Sequence, residues 1–207
     1  MGYCLPDSLK QRVAREAALL LYTLQEKEYK QAKQRAAHTL ATRVLPSNIE
    51  VAEELDKIAD EMEGSTREER LLQMRREALT IMDVLRDFHP KLIGSVWRGT
   101  ANKNSDIDIV TFSADPAKVL SKLQIDGFNP AKTEWQSAPK RSGEEKTFHI
   151  YLIFPAGHEA EIVVRGLEKM NEKEKCEIYG DIITGLNNTK LSKVLNENPL
   201  QKFVPKA

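Results

Sequence analysis

The chain has 207 residues, 41% of them hydrophobic and 30% charged, with 31 Lys and Arg against 31 Asp and Glu. That is the profile of a globular chain long enough to bury a core, with a net charge that argues for no particular partner. The two cysteines, Cys4 and Cys176, form no CxxC pair or Cys/His cluster; this argues against a disulfide framework or zinc site and for a reducing, cytoplasmic setting. No apolar run approaches the roughly 18 residues of a membrane span, the first ten residues lack a signal-peptide pattern, and Pro6 stands where a myristoylation signal wants Ser or Thr.

The first 89 residues read as a helical N-terminal region. Residues 8–44 contain neither Pro nor Gly, and Leu9, Val13, Ala17, Leu20 and Leu24 recur near helical spacing after a cap at Asp7 or Ser8. Pro46 ends the stretch. Ser47 with Glu50, then Ser65 with Glu68, mark the starts of two more helices, the first stopped by Gly64 and the second by Pro90. Between Leu9 and Val44 eight basic residues face three acidic ones; between Ser47 and Arg70 nine acidic residues face three basic ones. Two readings follow: antiparallel helices attracting one another, or a basic helix over 9–44 that faces a phosphate-rich partner such as RNA.

After Pro90 short apolar runs at 91–94, 107–112, 147–154 and 160–164 predict strands. Asp115 and Pro116 open a helix through Leu123, and the turn Pro155 to His158 predicts a hairpin. Strands with one or two helices among them mean α/β or α+β. The divisions predicted are 1–89, a core over 90–166, and a charged helical tail over 167–207, interrupted near Gly180 and Gly185, with frayed last residues. His38 and His149 receive no role.

The chemistry concentrates in Leu92-Ile-Gly-Ser-Val-Trp-Arg-Gly-Thr-Ala-Asn-Lys-Asn-Ser-Asp-Ile-Asp-Ile109. A strand delivers Gly94 and Ser95 to a short helical turn, where glycine permits close backbone approach and N–H groups favour phosphate. Asp106 and Asp108 then open a strand with both carboxylates on one face, while Ile107 and Ile109 pack behind. Two like charges on one face repel, and a cation between them relieves this. All-oxygen ligands suit Mg²⁺ or Mn²⁺. A phosphate cradle beside a dicarboxylate is equipment for nucleotidyl transfer. Trp97 reads as core, and Lys103 and Asn104 as loop.

At these residues the chain resembles the DNA polymerase β-like nucleotidyltransferase superfamily, over about residues 90–165. The string GSVWRGTANKNSDIDIV is similar to the minimal and aminoglycoside nucleotidyltransferases. The resemblance implies an α+β core, a small mixed sheet with flanking helices. It implies that Asp106 and Asp108 hold the metals, and that a third carboxylate lies on a later strand. Glu161 fits that position, flanked by Ala160 and Ile162; Glu159 shares its face and stays the alternative. Glu161 would complete the metal site and act as base. Gly94, Ser95, Arg98 and Ser105 would contact the nucleotide, Ser105 alternatively capping its loop. The implied reaction moves NMP from an NTP to an acceptor hydroxyl with release of pyrophosphate. The acceptor would be RNA, a small molecule or a protein side chain, with the basic 9–44 stretch favouring RNA. Two alternatives keep the fold without the chemistry: a retired nucleotide- or RNA-binding module, and an antitoxin-like partner.

Overall fold

A computed structural model describes residues 8–140 and 143–205, which fall into two compact units. Cys4 lies outside the described residues.

The first unit, residues 1–67 with 176–181, contains three helices: α1 (Leu9–Tyr22), α2 (Tyr29–Thr39) and α3 (Asn48–Glu63). Ser8 caps α1 in a reciprocal box with Gln11, and Ser47 caps α3 with Glu50. The single stretch expected over 8–44 is in fact two helices. The Thr23 hydroxyl donates to the Leu19 carbonyl at 2.8 Å, and Leu24 takes the left-handed region at φ 56°. The driving force is packing. Ala14, Ala17 and Ala18 on α1 and Ala32, Ala36 and Ala37 on α2 are buried in one cluster with Val51, Ile58 and Ala59 of α3. One continuous helix would leave both alanine faces in water. Lys10 pairs with Glu50, and Arg15 with Glu54 and Glu61. These pairs ascend both helices together, so α1 and α3 run in the same direction, with α2 as the return leg. The expected attraction between basic and acidic segments is present, but it is carried by α1, which lies parallel to α3 and not antiparallel to it.

The second unit, residues 68–175 with 182–207, holds most of α4 (Ser65–Val84) and a five-stranded sheet. The strands are β1 (Lys91–Ile93), β2 (Ile107–Phe112), β3 (Lys132–Lys140), β4 (Gly143–Ile153) and β5 (Glu159–Arg165), ordered β1-β2-β5-β4-β3. Only β2 and β5 pair in parallel, so the sheet is mixed and the chain is α+β, as expected. The 155–158 turn is present, with Phe154 N–H bonded to the His158 carbonyl. Two short helices follow β1 and β2: α5 (Gly94–Arg98) and α6 (Pro116–Ile125).

Strand β3 was not predicted, because KTEWQSAPK carries no apolar run. It is an edge strand, where polar residues and Pro139 are tolerated. The inner face of the sheet buries Ile107, Ile109, Ile150 and Ile162 against Met74, Ile81 and Met82 of α4, with Leu123 of α6 and Leu191 of α7 (Asn188–Glu197). The outer face is polar: Asp108, Glu161, Tyr151 and Lys132 are successive cross-strand partners. Among the described residues of the expected helical tail, only α7 and one 3₁₀ turn, Leu167–Lys169, are helical.

The expected frayed end is also absent through Phe203, and α5 explains why. A five-residue helix leaves its last carbonyls without intrahelical donors. The Ser95 carbonyl accepts from the N–H groups of Gly99 and Thr100. The Val96 and Trp97 carbonyls accept from Arg75, each at 3.1 Å. The Arg98 carbonyl accepts from Phe203 N–H at 2.8 Å. Arg75, fully buried, also donates to the Pro199 and Gln201 carbonyls, and Arg98 to that of Phe203. Residues 199–203 are thereby fastened to the helix that follows β1.

Candidate active site

Asp106 and Asp108 stand at the start of β2, with Ile107 and Ile109 fully buried behind them. In the parallel pairing of β2 with β5, Asp108 lies opposite Glu161. Asp106, Asp108 and Glu161 bring one carboxylate oxygen each to within 4.8 Å of one another, the one such cluster among the described residues. Glu159, on the same face of β5, is exposed and outside that cluster.

Gly94 makes this geometry available. It sits at φ +68°, and a Cβ on it would stand 1.8 Å from Asp108 Oδ2 and 2.7 Å from its Cγ. The glycine thus gives room first to the Asp108 carboxylate. Gly94→Ala is expected to destabilise the protein by on the order of 2–5 kcal/mol, from left-handed strain plus overlap. In an Asp108→Ala background the two shortest contacts vanish and only the tight 3.0 Å approach to the Asp108 Cβ remains, so the cost should fall towards that of the strain. Urea denaturation of the four proteins reads the difference; equal costs in both backgrounds would contradict this account.

The electrostatics are those of an anion cluster short of positive charge. Burial, then the charges of Asp106 and Glu161, pushes the Asp108 carboxyl up from 3.8 to about 8. The Asp106 carboxyl is also raised, by lost hydration first and then by Glu161 and Glu159. Such a cluster offers hard oxygen ligands that could hold a divalent cation, and no cysteine or histidine belongs to it. The donor set fits Mg²⁺ or Mn²⁺.

The remaining predicted site residues are distributed differently. Ser95 opens α5 directly after Gly94. Arg98 is 4% exposed; its guanidinium lies 4.4 Å over the Trp97 ring and donates to the Phe203 carbonyl. Ser105 closes the loop, its hydroxyl accepting from Asn102 N–H at 3.0 Å. Trp97 is buried, as expected.

His149, given no role above, touches the cluster: its Nδ1 lies 2.7 Å from Glu161 Oε1, and its Nε2 lies 2.7 Å from Thr147 Oγ1. The alternation of Thr147, His149 and Tyr151 places all three on one face of β4. Only the register of the β4–β5 hairpin shows that this is the face of Glu161.

Residues 91–179 match the family described as nucleotidyltransferase domain. The matched segment is under half of the chain. No curated protein matches. Among solved structures, the chain is similar to a cytoplasmic RNA terminal U-transferase at 20% identity and TM-score 0.35, covering 46% of this chain and 29% of that one. It is similar to Cid1 in complex with the UTP analogue UMPNPP at 19% identity and TM-score 0.34, covering 57% and 37%. The GLD-2/RNP-8 complex matches at 17% identity and TM-score 0.36, covering 59% and 44%. The chain spans less than half the length of these neighbours, and likeness this low carries no argument about activity.

Proposed function

We propose that this chain is a divalent-cation-dependent nucleotidyltransferase that moves NMP from an NTP to an acceptor hydroxyl. The observation that carries the reading is the cluster of Asp106, Asp108 and Glu161 beside Gly94, within a nucleotidyltransferase domain. Asp106 and Asp108 would hold the cation and Glu161 would complete its ligand set. A divalent cation bound there neutralises the triphosphate, aligns in-line attack and lowers the pKa of the acceptor hydroxyl. The acceptor oxygen bonds to the α-phosphorus, the bond to the bridging oxygen breaks, and pyrophosphate leaves. Glu161 receives the acceptor proton. Gly94 and Ser95 receive the triphosphate with backbone N–H groups and the Ser95 hydroxyl. Arg98 and Ser105 hold the shape of α5 and of the 102–105 loop.

For RNA as acceptor the basic 9–44 stretch offers less than its charge count suggests. Lys10, Arg15 and Arg35 pair with carboxylates and Lys33 with Asn48 inside their own unit. The acceptor is therefore assigned by experiment. No described helix is long and apolar enough to cross a membrane, and the low cysteine count favours a reducing cytoplasm.

The test incubates the protein with each α-³²P-labelled NTP, Mg²⁺ and total cellular RNA or soluble extract, then resolves RNA, protein and small molecules. Label in one fraction, absent with Asp106→Ala, is expected and names acceptor and nucleotide together. Calorimetric NTP binding without label in any fraction would instead identify a retired binding module.

A further inference from the structure

We infer that His149 is a positioning residue: it fixes the Glu161 carboxylate for cation binding and is itself fixed by Thr147. The inference rests on the metal-site reading above and adds the residues that make the third ligand competent.

The geometry is specific. His149 is 8% exposed, so both ring nitrogens must find partners within the protein. Nδ1 meets Glu161 Oε1 and Nε2 meets Thr147 Oγ1, each at 2.7 Å. Both contacts fit one tautomer: Nδ1–H donates to the carboxylate, and Nε2 accepts a hydrogen bond from the Thr147 hydroxyl. The Tyr151 ring lies nearly parallel to the imidazole, centroids 6.4 Å apart, on the same strand face. This face is the polar one; the apolar layer takes Ile150 and Leu152 from the alternate positions of β4. Core filling alone would be served better by an apolar side chain at 149.

Glu161 needs such a partner more than the two aspartates do. Its side chain has one more rotatable bond, hence more freedom to lose when it presents an oxygen to a cation. A bond to Oε1 sets the carboxylate plane before the cation arrives. Outer partners of ligating side chains act this way, and removing them weakens metal binding by about 10–100-fold.

The test is Mn²⁺ titration of the full chain without nucleotide, followed by the electron paramagnetic resonance signal of free Mn²⁺. His149→Leu, which fills the volume without a donor, should bind Mn²⁺ at least about 10-fold more weakly. His149→Asn, whose amide nitrogen can stand in the place of Nδ1, should recover most of that loss. Thr147→Val should fall between wild type and His149→Leu. Circular dichroism and thermal melting establish that each variant is folded. A purely structural role makes Leu at least as good as Asn, and that order would overturn the inference. Mn²⁺ bound by wild type, lost in Asp108→Asn and unchanged in His149→Leu would overturn this inference alone. Wild-type protein that ignores Mn²⁺ would overturn the metal-site reading together with it.

Discussion

Asp108→Asn is expected to reduce Mg²⁺-dependent turnover by on the order of 10²–10³-fold or more, while making the metal-free protein more stable. Both effects come from one carboxylate. Held above its ordinary pKa by burial and by Asp106 and Glu161, it is less comfortable ionised in the folded chain than in the unfolded one. The folded state therefore binds the proton more tightly. The penalty is absent below the unfolded value of 3.8, grows as pH rises, and is complete above about 8. An amide of the same shape removes it. The Tm of Asp108→Asn should exceed that of wild type at pH 8, by roughly 2–4 °C per kcal/mol for a chain of this length. The two curves should converge towards pH 4. Mn²⁺ should raise the Tm of wild type at pH 8 and leave the variant unmoved. A variant less stable than wild type at pH 8 without metal would show that the cluster is not under electrostatic tension.

The second large effect is expected far from the carboxylates in sequence. Arg75 is fully buried and makes its bonds to four carbonyls, those of Val96, Trp97, Pro199 and Gln201. Burial lowers its pKa to about 10, which leaves it charged at neutral pH. Bonds from a charged donor are stronger than neutral ones, and buried carbonyls that lose their partner keep the cost of lost hydration. Arg75→Met is expected to destabilise by about 3–5 kcal/mol. Because two of the four carbonyls close α5, the variant should also bind NTP more weakly at temperatures where it remains folded. Denaturation and calorimetry on the same samples check both; stability within about 0.5 kcal/mol of wild type would mean that water replaces the guanidinium at no cost.

The sequence was legible where local chemistry decides the structure. Asp106-Ile-Asp108 between apolar neighbours had to be a strand with paired carboxylates on one face. Ser47 with Glu50 had to start a helix, and Glu161 lay between Ala160 and Ile162 in a period-two run. What escaped depends on partners distant in the chain. The break at Thr23 and Leu24 follows from alanine faces on α1 and α2 that meet only in three dimensions. Strand β3 has no apolar signature, because an edge strand needs none. The meaning of His149 lies in the β4–β5 register, which no local pattern shows. Nothing in GSVWRG announces that Phe203 returns to meet Arg98.

The most direct test of the account is a crystal of the protein grown with Mn²⁺ and a non-hydrolysable NTP analogue, measured for anomalous scattering. The expected result is a manganese peak about 2.1 Å from carboxylate oxygens of Asp106 and Asp108, with the triphosphate against Gly94 and Ser95. A triphosphate seated elsewhere, or a manganese peak away from these carboxylates, would contradict it.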